Sequence, residues 1–179
     1  IFMGRDEYYT LRELFKSIIG HVSSDIIWNK HHMGLGGGDY QKKYENVLYA
    51  APGYEKILYG RNKDEKHYFV DDRSQTDVWD FRAPTGLSGA YHLTMKPVEL
   101  LAYTIQNSSD WDFIVADGFN GSGSTLIATE KTKRIYRGIE LEPRYVDLSV
   151  IRWKLWMDEN DKKYTILKDG KKFDFDLLS

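Results

Sequence analysis

The residues best placed to do chemistry are two acids set around a glycine loop. Asp117 closes a short apolar run, Phe113-Ile114-Val115-Ala116, and the loop Gly118-Phe119-Asn120-Gly121-Ser122-Gly123-Ser124 follows it. Glu140 closes a second run, Arg134 to Ile139. Gly121 and Gly123 let the backbone turn sharply and approach a ligand closely. Glu140, at a strand tip, offers a carboxylate able to accept hydrogen bonds from two ribose hydroxyls. A P-loop would need Gly-Lys-Ser/Thr, because its lysine neutralises phosphates. Here Ser124 and Thr125 follow Gly123, and the next lysine is Lys131. The dinucleotide pattern G-x-G-x-x-G fails as well, since Leu126 stands at its third glycine.

Asp117 narrows the ligand further. An acid ahead of the glycine turn repels phosphate and suits a cation. S-adenosylmethionine has a sulfonium, an ammonium group and no phosphate, so the acid–glycine–acid pattern favours it over ATP or NAD. Other constellations are weaker. His31-His32 with Asp39 or Glu45 suggests a metal site, but adjacent histidines on regular structure point apart and no metal is assigned. Gly121-Ser-Gly-Ser-Thr misses the nucleophile elbow G-x-S-x-G by one residue. Lys42 and Lys43, between Tyr40 and Tyr44, suit phosphates and bases. Arg61, Lys63 and Lys66 form a second basic stretch. Glu142, just before Pro143, reads as a helix N-cap. Trp79 reads as buried packing.

The elements that must position these groups follow from periodicity. Strand, glycine loop, helix (Thr125 to Thr132) and second strand make a nucleotide-binding βαβ unit. Ile1-Phe2-Met3-Gly4 resembles the end of a strand already in progress. Asp6 to Ile19 places Leu11, Leu14, Phe15, Ile18 and Ile19 on a helical stripe, ended by Gly20. Ser24–Lys30 and Asn46–Ala51 read as strands, separated by a glycine-rich loop at 31–45. Residues 54–91 show little pattern and read, with 31–45, as irregular insertions suited to recognising a substrate. Pro97 is expected as the first residue of a helix reaching Asn107, with Val98, Leu101, Ala102 and Ile105 on one face. Pro143 opens another helix to about Met157, with Val146, Val150 and Trp153 inward. Asp169-Gly170 between alternating flanks predicts a hairpin over 163–176.

Composition bounds the reading. The 179 residues, 41% hydrophobic and 15% aromatic, suit one globular domain. Cysteine is absent, which removes disulfides, thiolate metal sites and thiolate nucleophiles. A net charge of −2 confines any DNA-binding surface to a local patch. No apolar run reaches membrane length.

Three segments, in one order, resemble amino-directed DNA methyltransferases, which make N6-methyladenine or N4-methylcytosine. Asp117–Thr125 is similar to their D-P-F-x-G-S-G-[ST]-T loop, His92-Leu93-Thr94-Met95-Lys96-Pro97 to H-P-T-x-K-P, and Gly138–Tyr145 to G-I-E-x-x-P-x-Y. The order is that of the circularly permuted (beta-class) members, and the likeness runs from the first strand to about Trp156. It implies a Rossmann-like α/β fold with a mostly parallel sheet and helices on both faces, the 46–51 strand lying antiparallel at or near an edge. It implies S-adenosylmethionine held by Asp117, Phe119, Gly121, Ser122, Gly123, Ser124, Thr125 and Glu140 together with His92, Thr94, Lys96 and Pro97. It also implies double-stranded DNA as partner, in a cytoplasmic restriction–modification setting, with adenine N6 ahead of cytosine N4; the irregular stretches 31–45 and 54–91, with the basic residues Lys42, Lys43, Arg61, Lys63 and Lys66 within them, are then expected to meet the duplex. Gly118 and Leu93 stand where the family has proline, and neither change deletes a polar group. The family's D-P-P-Y tetrapeptide, which aims the target amino group and stacks on the flipped base, does not occur in these 179 residues. The resemblance places it upstream of Ile1. The expectation is therefore a cofactor-binding portion, inactive alone, that works with the remainder of its polypeptide or a second subunit. A non-catalytic subunit or a decayed remnant is the alternative.

Overall fold

The computed structural model describes residues 2–3, 8–19, 22–29, 54–60, 68–70, 78–82, 84 and 95–173. The chain divides into two units, residues 1–83 and 84–179.

In the first unit β1 (Phe2–Met3), β2 (Val22–Asn29), β3 (Tyr54–Gly60) and β4 (Val78–Asp80) form one sheet in the order β1-β3-β2-β4. β3 runs antiparallel to both neighbours, with Phe2 opposite Ile57 and Ile26 opposite Ile57 on the other side. β2 and β4 are parallel, with Trp28 opposite Trp79. One expectation changes here, the reading of 54–91 as irregular. Tyr54–Gly60 is an antiparallel strand inside the sheet. Residues 46–51 lie outside the described residues. β3 and β4 fall in the stretch read as irregular. β3 was hidden because its apolar centre, Ile57-Leu58-Tyr59, is short and Glu55-Lys56 precede it. β4 has only one inward residue, buried Trp79, so no alternation shows.

α1 (Tyr8–Ile19) buries Tyr8 against Leu11, Phe15 and Val22. This i, i+3, i+7 face keeps Leu11 and Phe15 of the predicted stripe, while Leu14 and Ile18 are exposed.

The second unit holds α2 (Val98–Ser108), β5 (Ile114–Asp117), α3 (Ser124–Lys131), β6 (Ile135–Gly138) and α4 (Pro143–Glu159). β5 and β6 are parallel and in register, Asp117 opposite Gly138. Pro97 is the N-cap of α2 rather than its first residue, with extended ψ of 133°, and its carbonyl accepts from Leu101 N. Leu100, Leu101, Ala102 and Ile105 are buried on α2, and Ile127 and Ala128 on α3. Thr129 and Thr132 are also buried, and their hydroxyls donate to the Thr125 and Ala128 carbonyls, which satisfies both. Arg134, just ahead of β6, donates to the Ser109 and Thr132 carbonyls and ties the end of α2 to the sheet.

After α4 the chain turns at Asn160–Asp161, and the Tyr164 hydroxyl donates to Asp158 at 2.8 Å while its ring meets Trp153 edge-on. β7 (Leu167–Lys168) and β8 (Lys171–Lys172) make the predicted hairpin. Asp169 and Gly170 both have positive φ, 52° and 76°, as a type I′ turn demands. Among the described residues no helix is long and apolar enough to cross a membrane.

Candidate functional site

The site grows from the C-terminal ends of β5 and β6. The parallel ladder continues past both strands: Ile139 N donates to the Asp117 carbonyl at 2.9 Å, and Asn120 N donates to the Ile139 carbonyl at 3.1 Å. Asp117 shapes the turn itself, its Oδ1 accepting from Phe119 N at 2.9 Å. The Asn120 carbonyl then accepts from Gly123 N at 3.0 Å. Gly121 and Gly123 both take left-handed φ, 51° and 79°, and Gly123 is the N-cap of α3.

Glu140 is clamped by backbone. Its Oε2 accepts from Gly121 N at 2.6 Å and its Oε1 from Glu142 N at 3.0 Å. The loop and the strand-end acid are thus one hydrogen-bonded assembly. Glu142 plays the separate role expected of it, its Oε1 accepting from Arg144 N at 3.3 Å as the N-cap of α4.

α4 braces the loop from behind. A Cβ on Gly123 would lie 2.6 Å from the Ser149 Cβ and 2.9 Å from its Cα, so only glycine fits there. Arg152 donates to the Ser122 carbonyl and, at 3.4 Å, to the Ser124 hydroxyl. Ser122 and Ser124 are buried. From β6, the Tyr136 hydroxyl donates to Asn120 Oδ1 at 2.7 Å. Burial, then the Asp117 and Glu140 charges, push the Tyr136 phenol far above its ordinary value near 10. A small cavity of about 130 Å³ opens beneath the loop, lined among others by Asn120, Leu126, Tyr136, Glu140, Val146 and Ser149. Phe119 and Leu141, each next but one or next to an acid, are almost fully exposed at 93% and 96%.

Of the predicted residues, the structure brings Asp117, Phe119, Gly121, Ser122 and Gly123 into the loop, Ser124 and Thr125 to the start of α3, and Glu140 to the strand end. Lys96 and Pro97 lead into α2. His92, Thr94, Lys42, Lys43, Arg61, Lys63 and Lys66, as well as His31 and His32, lie outside the described residues. Sequence reasoning missed Asn120, Tyr136, Ser149 and Arg152. Gly138 alone carried a signal, a glycine two residues after a tyrosine on the same strand face.

A family model described as DNA methylase, of the N6/N4 type, matches residues 1–151. The chain belongs to the N6/N4 DNA methylase family. Among its relatives, the type II methyltransferase M.HinfI of Haemophilus influenzae is 27% identical over 150 residues, covering 79% of this chain and 42% of that one. The type II methyltransferase M.Cfr9I of Citrobacter freundii is 31% identical over 137 residues, 74% of this chain and 44% of that one. The chain therefore spans less than half the length of either relative. Among solved structures, the M1.HpyAVI–SAM complex superposes with a TM-score of 0.67 at 23% identity, over 85% of this chain and 72% of that one. The cytosine-N4-specific PvuII DNA methyltransferase gives 0.61 at 18%, over 82% and 57%. These likenesses carry the fold, which is Rossmann-like. The cofactor of this family is S-adenosylmethionine.

Proposed function

We propose that this chain is the cofactor-binding portion of a circularly permuted, amino-directed DNA methyltransferase. The observation that carries the reading is the Glu140 carboxylate, fixed by the Gly121 and Glu142 amides at the end of β6 and beside the Asp117 turn. An acceptor held this rigidly suits ribose hydroxyls. The donor set fits the cofactor in kind as well: acids and no lysine in the loop, with the apolar faces of Phe119 and Leu141 exposed on either side. Bound there, the cofactor would supply the methyl group. Asp117 and Glu140 would orient its polar parts, and Leu141 and Phe119 would shield its apolar ones from water. His92, Thr94, Lys96 and Pro97 complete the proposed cofactor set.

Titrating S-adenosylhomocysteine calorimetrically into the parent chain and Glu140→Ala tests this. Removing the charge-assisted bonds costs about 2–4 kcal/mol, or roughly 30- to 1000-fold in affinity. Equal binding by a folded Glu140→Ala chain would overturn the strand-end assignment.

The substrate in this reading is the exocyclic amino group of adenine, ahead of cytosine, in double-stranded DNA within a bacterial, archaeal or phage-infected cell's restriction–modification chemistry. Lys42, Lys43, Arg61, Lys63 and Lys66 would meet the duplex. A second reading, a non-catalytic partner subunit, draws on the absence of D-P-P-Y from the 179 residues. Both readings predict that the chain by itself moves no methyl group. Tritiated cofactor and mixed-sequence DNA should give no label above background, and labelled DNA would place catalysis within this chain.

A further inference from the structure

Asn120 is the most connected residue of the loop. Its amide N–H donates to Ile139, its carbonyl accepts from Gly123, its side-chain Nδ2 donates to the Gly121 carbonyl at 3.0 Å, and its Oδ1 accepts from Tyr136. The next amide in the chain, Gly121 N, is the one that reaches Glu140. Only one of these side-chain contacts comes from outside the loop, and it is the Tyr136 phenol. A tyrosine at that point of β6 ordinarily stands upright from the sheet. Here its ring folds along the strand over position 138, where a Cβ would lie 2.3 Å from the hydroxyl and 2.5 Å from the ring edge. Gly138 therefore makes the room that lets the phenol reach the loop.

We propose that Tyr136 and Asn120 are positioning residues of the cofactor loop, a latch from β6 that sets Gly121 N–H on Glu140 and is permitted by Gly138. The proposal rests on the cofactor reading above. The latch acts through the Gly121–Glu140 bond. Without the phenol, Asn120 Oδ1 loses its donor in a half-buried place. The amide then gains freedom to turn, and its hold on Gly121 loosens with it.

The test is a double-mutant cycle with Tyr136→Phe, Asn120→Ala and the pair, read by calorimetric titration of S-adenosylhomocysteine. Each single change should weaken binding about five- to tenfold, and the pair should bind within twofold of the weaker single, because either change opens the same latch. Helical circular dichroism confirms that each variant is folded. Amide exchange of Gly121 in the ligand-free chain supplies a second readout. It should quicken about tenfold in Tyr136→Phe, while the Ile127–Thr129 amides of α3 keep their protection. A merely structural tyrosine would move both sets together. Binding by Tyr136→Phe within twofold of the parent, losses that multiply in the pair, or unchanged Gly121 exchange would each overturn the latch. A parent chain that fails to bind the probe overturns the cofactor reading instead, and the exchange measurement then decides the latch alone.

Discussion

At the scale of single residues, three glycines share a left-handed backbone and differ in what surrounds them. Gly170 has φ of 76° and open space around its missing Cβ, Gly121 has φ of 51° with one carbonyl at 3.9 Å, and Gly123 has φ of 79° with Ser149 at 2.6 Å. Alanine at any of the three costs about 1–2 kcal/mol of backbone strain. At Gly123 the clash with backbone adds a further loss of about 1–3 kcal/mol, since α3 and α4 must be forced apart. Urea unfolding of the three variants should therefore rank Gly123→Ala well below the other two, and equal losses would mean that the loop does not press on α4. Tyr136 gives a pH signature. Its folded pKa is raised, so below about 10 the phenol is protonated in both states and its full contribution is present. Above that value the unfolded chain releases the proton while the folded one retains it, and stability falls as pH rises. Thermal unfolding from pH 8 to 11 should show this alkaline loss in the parent and a shallower one in Tyr136→Phe.

At the scale of elements, the two neighbouring acids separate cleanly. Glu140 serves the loop and Glu142 serves α4, so Glu142→Ala should cost about 1 kcal/mol of stability as a lost cap and leave S-adenosylhomocysteine affinity nearly unchanged. The same titration that weakens Glu140→Ala checks it. The acids could be told apart from sequence because Pro143 announces the helix start, and a residue just ahead of it caps. The βαβ unit was legible for a related reason: apolar runs of strand length bounded by an acid and a glycine loop define both strands to within a residue or so, Ile114–Asp117 and Ile135–Gly138. The hairpin turn was legible from Asp169-Gly170 alone. What stayed hidden was contact at long range. Arg152 lies 30 residues from Ser122 along the chain, and on a helical face it looks like any solvated cation. Tyr136 reads as an ordinary strand aromatic, and nothing in periodicity says that its ring bends over Gly138. β3 was missed because three apolar residues among charges carry too little pattern to outweigh their neighbourhood.

At the scale of the whole molecule, the chain carries a net charge of −2, so nonspecific attraction to DNA cannot come from its surface at large. If the duplex is met at Lys42 and Lys43, reversing both charges should weaken binding and reduce the steepness of its salt dependence by close to two phosphate contacts. A salt slope equal to the parent's would move the DNA face elsewhere. The second unit, meanwhile, returns to its own glycine loop twice, once through Glu140 on Gly121 and once through Ser149 and Arg152 on Gly123 and Ser122. The stretch from β5 to the middle of α4 is therefore a closed circuit of chain. A break between α3 and β6, near Thr132 and Lys133, would sever the covalent link between the loop and the acid that holds it. A break after Asn160 would leave the circuit whole. The natural seam for dividing this protein into two complementing pieces therefore lies ahead of α2 or beyond α4.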